Sequence, residues 1–148
     1  MLIFSHGSTI FQGGSPKESL SNALTTSRAD AVEVDVRKSL QDSLFCHDSA
    51  EIQGVKIAEA GDDELKQCGA LNIHNVMELA KGVDTPLLFD IKPGEPGMPE
   101  TMLRCARDHD IDDNRLIIGV RNPEQAENAR AHGGKAGILG FLERNQLP

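Results

Sequence analysis

The chain has 148 residues, with 15 Lys and Arg against 23 Asp and Glu, a formal net charge of −8 and a pI near 5.0. That length fits one domain over residues 1–148, and an acidic chain without a dense basic cluster is a poor candidate for binding nucleic acid through its phosphates. No apolar run approaches the roughly 18 residues that span a bilayer, and residues 1–6 lack the basic and apolar regions of a signal peptide, so a cytoplasmic protein is expected.

The elements alternate between strand-like and helix-like runs, which argues for α/β architecture with parallel strands. Leu2–Ser5 is the first expected strand, and residues 16 to about 27 form a helix with Leu20, Ala23 and Leu24 at helical spacing. Residues 31–36 alternate cleanly as a second strand, and residues 43–47 read as a third. Residues 48–71 are weakly periodic and read as an insertion with short helices. A helix follows over residues 72–81, with Gly82 as its stop, then a fourth strand over residues 86–91 that ends in Pro93-Gly94-Glu95-Pro96-Gly97. Residues 99 to about 109 are helical and residues 116–120 form a fifth strand. Asn122-Pro123-Glu124-Gln125 carries a capping-box pattern for the next helix, which Gly133-Gly134 closes. Residues 136–142 form a sixth strand. A closed (β/α)8 barrel needs about 200 residues or more, so the pattern predicts an incomplete TIM-type barrel of about six strand–helix units out of eight, or a small open sheet. Such an open barrel offers edge strands for pairing with a second copy or a completing chain.

Alternate side chains of a strand share a face. Glu33 and Asp35 therefore share one face and Val32, Val34 and Val36 the other, with the two carboxylates about 7 Å apart along the strand. Asp90 and Lys92 are likewise two apart at the end of the fourth strand; His6 ends the first strand and His47 the third. In α/β folds the ligand site lies beyond the carboxyl ends of the strands, so these residues are expected to gather at one mouth. Carboxylates suit Mg²⁺ or Ca²⁺, two imidazoles suit acid–base work, and a lysine beside an ion suits a phosphate. A single ionisable residue at a strand end is ordinarily solvated or salt-bridged. Two carboxylates facing inward on an apolar strand are harder to explain that way, because unpaired burial is costly. His74, His109 and His132 read as surface or capping residues, and Cys46, of opposite parity to His47, as packing. Cys46, Cys68 and Cys105 form neither a zinc spacing nor a disulfide framework and suit a reducing compartment. Gly13-Gly14-Ser15 lacks the full phosphate-loop pattern and reads as a flexible loop.

The ordered set His6-Gly7, Glu18-Ser19-Leu20, Ala29 to Val36 with Glu33-Val34-Asp35-Val36, His47-Asp48 and Asp90-Ile91-Lys92 resembles the glycerophosphodiester phosphodiesterase family from residue 1 to about 121. The resemblance implies a (β/α)8 barrel that hydrolyses small glycerophosphodiesters to glycerol 3-phosphate and an alcohol with one divalent cation, Mg²⁺ or Ca²⁺. It implies metal ligands at Glu33, Asp35 and Asp90, an acid–base pair at His6 and His47, and a phosphate contact at Lys92. Gly7-Ser8 stands where the family has Arg-Gly, and Asp90 where it usually has Glu. Arg121, at the expected end of the fifth strand, is the candidate to replace that guanidinium as a phosphate ligand. The departures also admit two alternatives: a non-catalytic relative that binds phosphate or a partner, and a sphingomyelinase D-like phospholipase.

Overall fold

The structure, a computed structural model, describes residues 4–5, 15–26 and 30–138. Strand β1 (Phe4–Ser5) is followed by helix α1 (Pro16–Thr26), whose start is a reciprocal capping box that the sequence reading had overlooked. Ser15 N donates to Glu18 Oε2 at 3.2 Å and Glu18 N donates to Ser15 Oγ at 3.1 Å, which satisfies two of the otherwise unpaired first-turn groups.

Strand β2 (Ala31–Lys38) organises the sheet. Val32, Val34 and Val36 are wholly buried, and their even parity points them at the helices. β2 pairs in parallel with β1 at one end and with β7 (Leu87–Ile91) along its other edge; β7 pairs with β8 (Leu116–Val120), and β8 with β9 (Ala136–Ile138), all parallel. Leu87, Phe89 and Ile91, then Leu116, Ile118 and Val120, repeat the buried parity of the valines. Helices α1, α3 (Ile73–Lys81), α4 (Met98–Asp108) and α5 (Pro123–Ala131) cover that face with Leu20, Met77, Met102, Leu103 and Ala126 among others. The result is part of a barrel wall, with helices outside and the opposite strand face turned inward.

The expected third parallel strand is a correction. β3 (Leu44–Cys46) runs antiparallel to the end of β2, with Val36 opposite Cys46, and β6 (Leu71–Asn72) is antiparallel to β3. The reversal needs only a tight turn, in which Asp42 takes a φ of 64° and Ser39 N donates to Ser43 O at 2.8 Å. A short apolar run carries no information about direction, so the pattern over residues 43–47 fits a strand of either sense. Between β3 and β6 lie a small hairpin, β4 (Glu51–Ile52) and β5 (Val55–Lys56), a 3-10 turn and helix α2 (Asp62–Gln67). This insertion has a core of its own from Phe45, Ile57, Ala60 and Leu65.

The helix ends follow the expected chemistry with one exception. Asn72 Oδ1 accepts from His74 N and caps α3, and Gly82 follows its last residue. Asn122 Oδ1 accepts from Gln125 N at 2.9 Å, yet the Gln125 side chain does not return to Asn122. It is buried and donates to Glu95 O at 3.3 Å, tying α5 to the loop after β7. Gly133, with φ 84°, ends α5.

Candidate active site

The inward parity of the strands collects charge at their carboxyl ends. Glu33, Asp35 and Arg37 lie on one face of β2; Asp90 and Lys92 follow on β7, and Arg121 follows β8. The parallel register sets Asp35 directly beside Asp90, and Asp90 beside Gly119. One carboxylate oxygen from each of Glu33, Asp35 and Asp90 lies within 4.8 Å of the others. Asp35 and Asp90 are only 1% and 4% exposed, and the Oδ1 atom of each is buried without a hydrogen-bond partner.

Two cations lie on the same carboxylates. Lys92 Nζ donates to Asp90 Oδ2 at 2.9 Å, and lies 3.0 Å from Asp35 Oδ1 in a charge contact that is not aligned as a hydrogen bond. It also lies 3.3 Å from Asp48 Oδ1. Burial alone lowers the basicity of the Lys92 ammonium, but the hydrogen bond to Asp90 and the charge of Asp35 outweigh it and raise its pKa above the ordinary value. Arg121 Nη2 donates to Asp90 Oδ2 at 2.6 Å. This contact sets the Arg121 guanidinium beside Asp90.

Arg37 is a mouth residue that the sequence reading overlooked, although its parity with Glu33 and Asp35 was available. Its Nε and Nη2 donate to Asp48 O at 3.0 and 2.5 Å. Burial pulls its pKa below the ordinary value against the opposing charges of Asp48, Asp35 and Asp90, and a guanidinium stays charged nonetheless. Asp48, through its carbonyl on Arg37 and its carboxylate by Lys92, ties the loop after β3 to the mouth. That loop carries His47, whose Nδ1 is 3.0 Å from Ser49 O. A carbonyl only accepts, so Nδ1 carries a proton, and in the neutral ring Nε2 is the nitrogen with the lone pair. His47, Asp48, Ile52 and Gln53 line a half-open cleft of about 770 Å³ between the β3 end and the insertion. His6 lies outside the described residues.

Four carboxylates thus face three fixed cations: Glu33, Asp35, Asp48 and Asp90 against Arg37, Lys92 and Arg121. The orphaned Oδ1 of Asp90, the Oδ1 of Asp35 held only by the Lys92 charge contact, and the convergence of three oxygen donors fit a hard divalent cation, which prefers oxygen ligands. With such an ion bound, the balance turns positive and suits a phosphodiester anion.

The sequence matches no family model and no curated relative. Solved structures do resemble it. A glycerophosphodiester phosphodiesterase from Parabacteroides distasonis superposes with a TM-score of 0.78 at 18% identity, covering 93% of this chain and 63% of that one. The chain has the fold of part of a glycerophosphodiester phosphodiesterase barrel. The Thermotoga maritima glycerophosphodiester phosphodiesterase gives 0.66 at 22% identity, over 93% of this chain and 60% of its own. A phosphodiesterase from Oleispira antarctica, solved with its product sn-glycerol-3-phosphate, gives 0.67 at 15% identity over 82% and 57%. The chain spans about three fifths of the length of these glycerophosphodiester phosphodiesterase-fold structures. Its described parallel strands are five, β1, β2, β7, β8 and β9, of a barrel type that has eight.

Proposed function

We propose that this chain, acting as one domain in the cytoplasm, hydrolyses small glycerophosphodiesters to glycerol 3-phosphate and an alcohol. The observation that carries this reading is the meeting of Glu33, Asp35 and Asp90, two of them with a buried oxygen that accepts no hydrogen bond, beside Lys92 and Arg121 at the carboxyl ends of parallel strands. The likeness of the fold to phosphodiesterases supports the reaction class.

Glu33, Asp35 and Asp90 would hold one Mg²⁺ or Ca²⁺, which when bound supplies a positive charge that polarises a phosphoryl oxygen. Lys92 and Arg121, anchored on Asp90, present N–H donors toward the phosphate and stabilise the charge that builds on its oxygens. Arg37 holds the His47 loop against the mouth through the Asp48 carbonyl. Nε2 of His47, free to accept, takes or returns a proton at the attacking or the leaving oxygen. His6 is assigned the complementary proton transfer on the resemblance alone. The nucleophile is water, or the glycerol 2-hydroxyl in a first step that expels the alcohol and leaves a cyclic phosphate, which water then opens to glycerol 3-phosphate.

The test is release of glycerol 3-phosphate from a glycerophosphodiester by the wild type and by Asp35→Asn, with Mg²⁺ or Ca²⁺ and with EDTA. Release that needs the ion and is lost in Asp35→Asn is expected. Ion binding without turnover would replace this reading with that of a non-catalytic phosphate-binding relative.

A further inference from the structure

A second cluster of ligand-type side chains lies away from the mouth, between helices α3 and α4. His74 and Glu78 are four apart on α3, and Cys105 and His109 are four apart along α4 and its cap. That spacing places each pair on one helix face, and the two helices are neighbours in the outer layer. His74 Nδ1 lies 3.3 Å from Cys105 Sγ and 3.0 Å from His109 Nε2. All three atoms fall within 4.8 Å of one another. The two imidazole rings are tilted by 50° with centroids 5.3 Å apart, so their nitrogens converge rather than stack.

We infer that His74, Cys105 and His109 form a Zn²⁺ site that clasps α3 to α4. Three further observations support it. A tetrahedral zinc ion with ordinary bond lengths sets nitrogen ligands about 3.4 Å apart, and nitrogen and sulfur about 3.6 Å apart; the two separations from His74 Nδ1 reach this with shifts of a few tenths of an ångström, and Cys105 Sγ and His109 Nε2 lie within 4.8 Å of each other. His109 Nδ1 is 2.9 Å from Glu78 Oε1, the carboxylate–imidazole arrangement that orients a metal-bound histidine and leaves Nε2 as the ligand atom. Entry is open: His74 and Cys105 line a cleft of about 220 Å³ that also includes Asp108. Three protein ligands leave the fourth position to water. Nitrogen and thiolate donors select a borderline-soft ion over Mg²⁺ or Ca²⁺, so this site and the carboxylate mouth take different metals.

Without metal, His74 Nδ1 meets both Cys105 Sγ and His109 Nε2, and His109 Nδ1 meets Glu78, as polar contacts of the apo chain; the experiment separates these from a metal site. The metal-free chain is titrated with Zn²⁺ against a chromophoric chelator, and with Co²⁺ by absorption. The site predicts one zinc per chain, a Co²⁺ spectrum with a thiolate charge-transfer band, and loss of both in Cys105→Ser. It predicts that Glu78→Gln weakens zinc about 10- to 100-fold and that Asp35→Asn leaves the thiolate band unchanged. His74 is exposed, so His74→Ala carries the same test should Cys105→Ser fail to fold. Zinc binding no tighter in the wild type than in His74→Ala would overturn the inference. So would a Co²⁺ complex without a thiolate band.

Discussion

At the strand mouth, side chains two residues apart converge because β2 and β7 run parallel and in register. Between α3 and α4, side chains four residues apart converge because two helix faces meet. The first arrangement gathers oxygen donors, places two of them almost out of water, and balances them with lysine and arginine. The second gathers nitrogen and sulfur at a surface cleft and needs no counter-charge beyond Glu78. The contrast teaches that burial, more than the number of ligands, decides what removal of one partner costs. A buried carboxylate stripped of its cation is left in a poor solvent, whereas an exposed imidazole stripped of its neighbour turns to water.

The sharpest way to break the comparison is Lys92→Met. It leaves Asp35 and Asp90 facing each other without their shared ammonium, and unfolding in urea should show a loss of about 3–5 kcal/mol, which shrinks in millimolar Mg²⁺ or Ca²⁺. His74→Ala, the matching change at the helices, should cost far less in the metal-free chain. Next in size is Arg121→Ala. If the guanidinium serves the phosphate, kcat/KM for a glycerophosphodiester should fall about 10- to 100-fold, the worth of one hydrogen bond to a charged group; undiminished turnover would remove Arg121 from the site. Asn122→Ala separates framework from chemistry. Loss of the α5 cap should cost about 1 kcal/mol in a thermal or urea melt and leave the ion response of both sites unchanged. The smallest effect is one of rate. In the metal-free chain, alkylation followed by mass spectrometry should label the half-exposed Cys68 first and Cys46 last, because burial lifts the Cys46 thiol far above its ordinary pKa.

The mouth was legible in the sequence because strand parity is local. Val-Glu-Val-Asp-Val alone says which side chains face helices and which face inward, and the same parity carried Asp90 and Lys92. Arg37 shares that parity, but a cation at the end of a strand is ordinarily solvated and its parity alone does not mark it as part of a site. The direction of β3 was not legible: three apolar residues cannot say whether the chain crosses over or turns back, and the turn depends on a positive φ at Asp42. Glu18, read within a motif of the resembling family, serves a capping box with Ser15. The pair Cys105 and His109, four apart, was visible, but a lone spacing of that kind is common in helices. Only the packing of α3 on α4 brings His74 within reach, and that is tertiary information. His132 caps α5, with Nδ1 2.8 Å from Asn128 O, as His109 caps α4, and His74 is exposed as expected.

The most direct measurement is a thermal melt of wild type, Asp35→Asn and Cys105→Ser, each without metal, with millimolar Mg²⁺ or Ca²⁺, and with one equivalent of Zn²⁺. An ion that binds only the folded chain raises its melting point by mass action. The account predicts that the hard ions raise the melting point of wild type and Cys105→Ser but not of Asp35→Asn. Zinc should raise that of wild type and Asp35→Asn but not of Cys105→Ser. A wild type indifferent to Mg²⁺ and Ca²⁺, or an Asp35→Asn chain that still responds to them, would contradict the assignment of Glu33, Asp35 and Asp90 as the ion site on which the proposed hydrolysis rests.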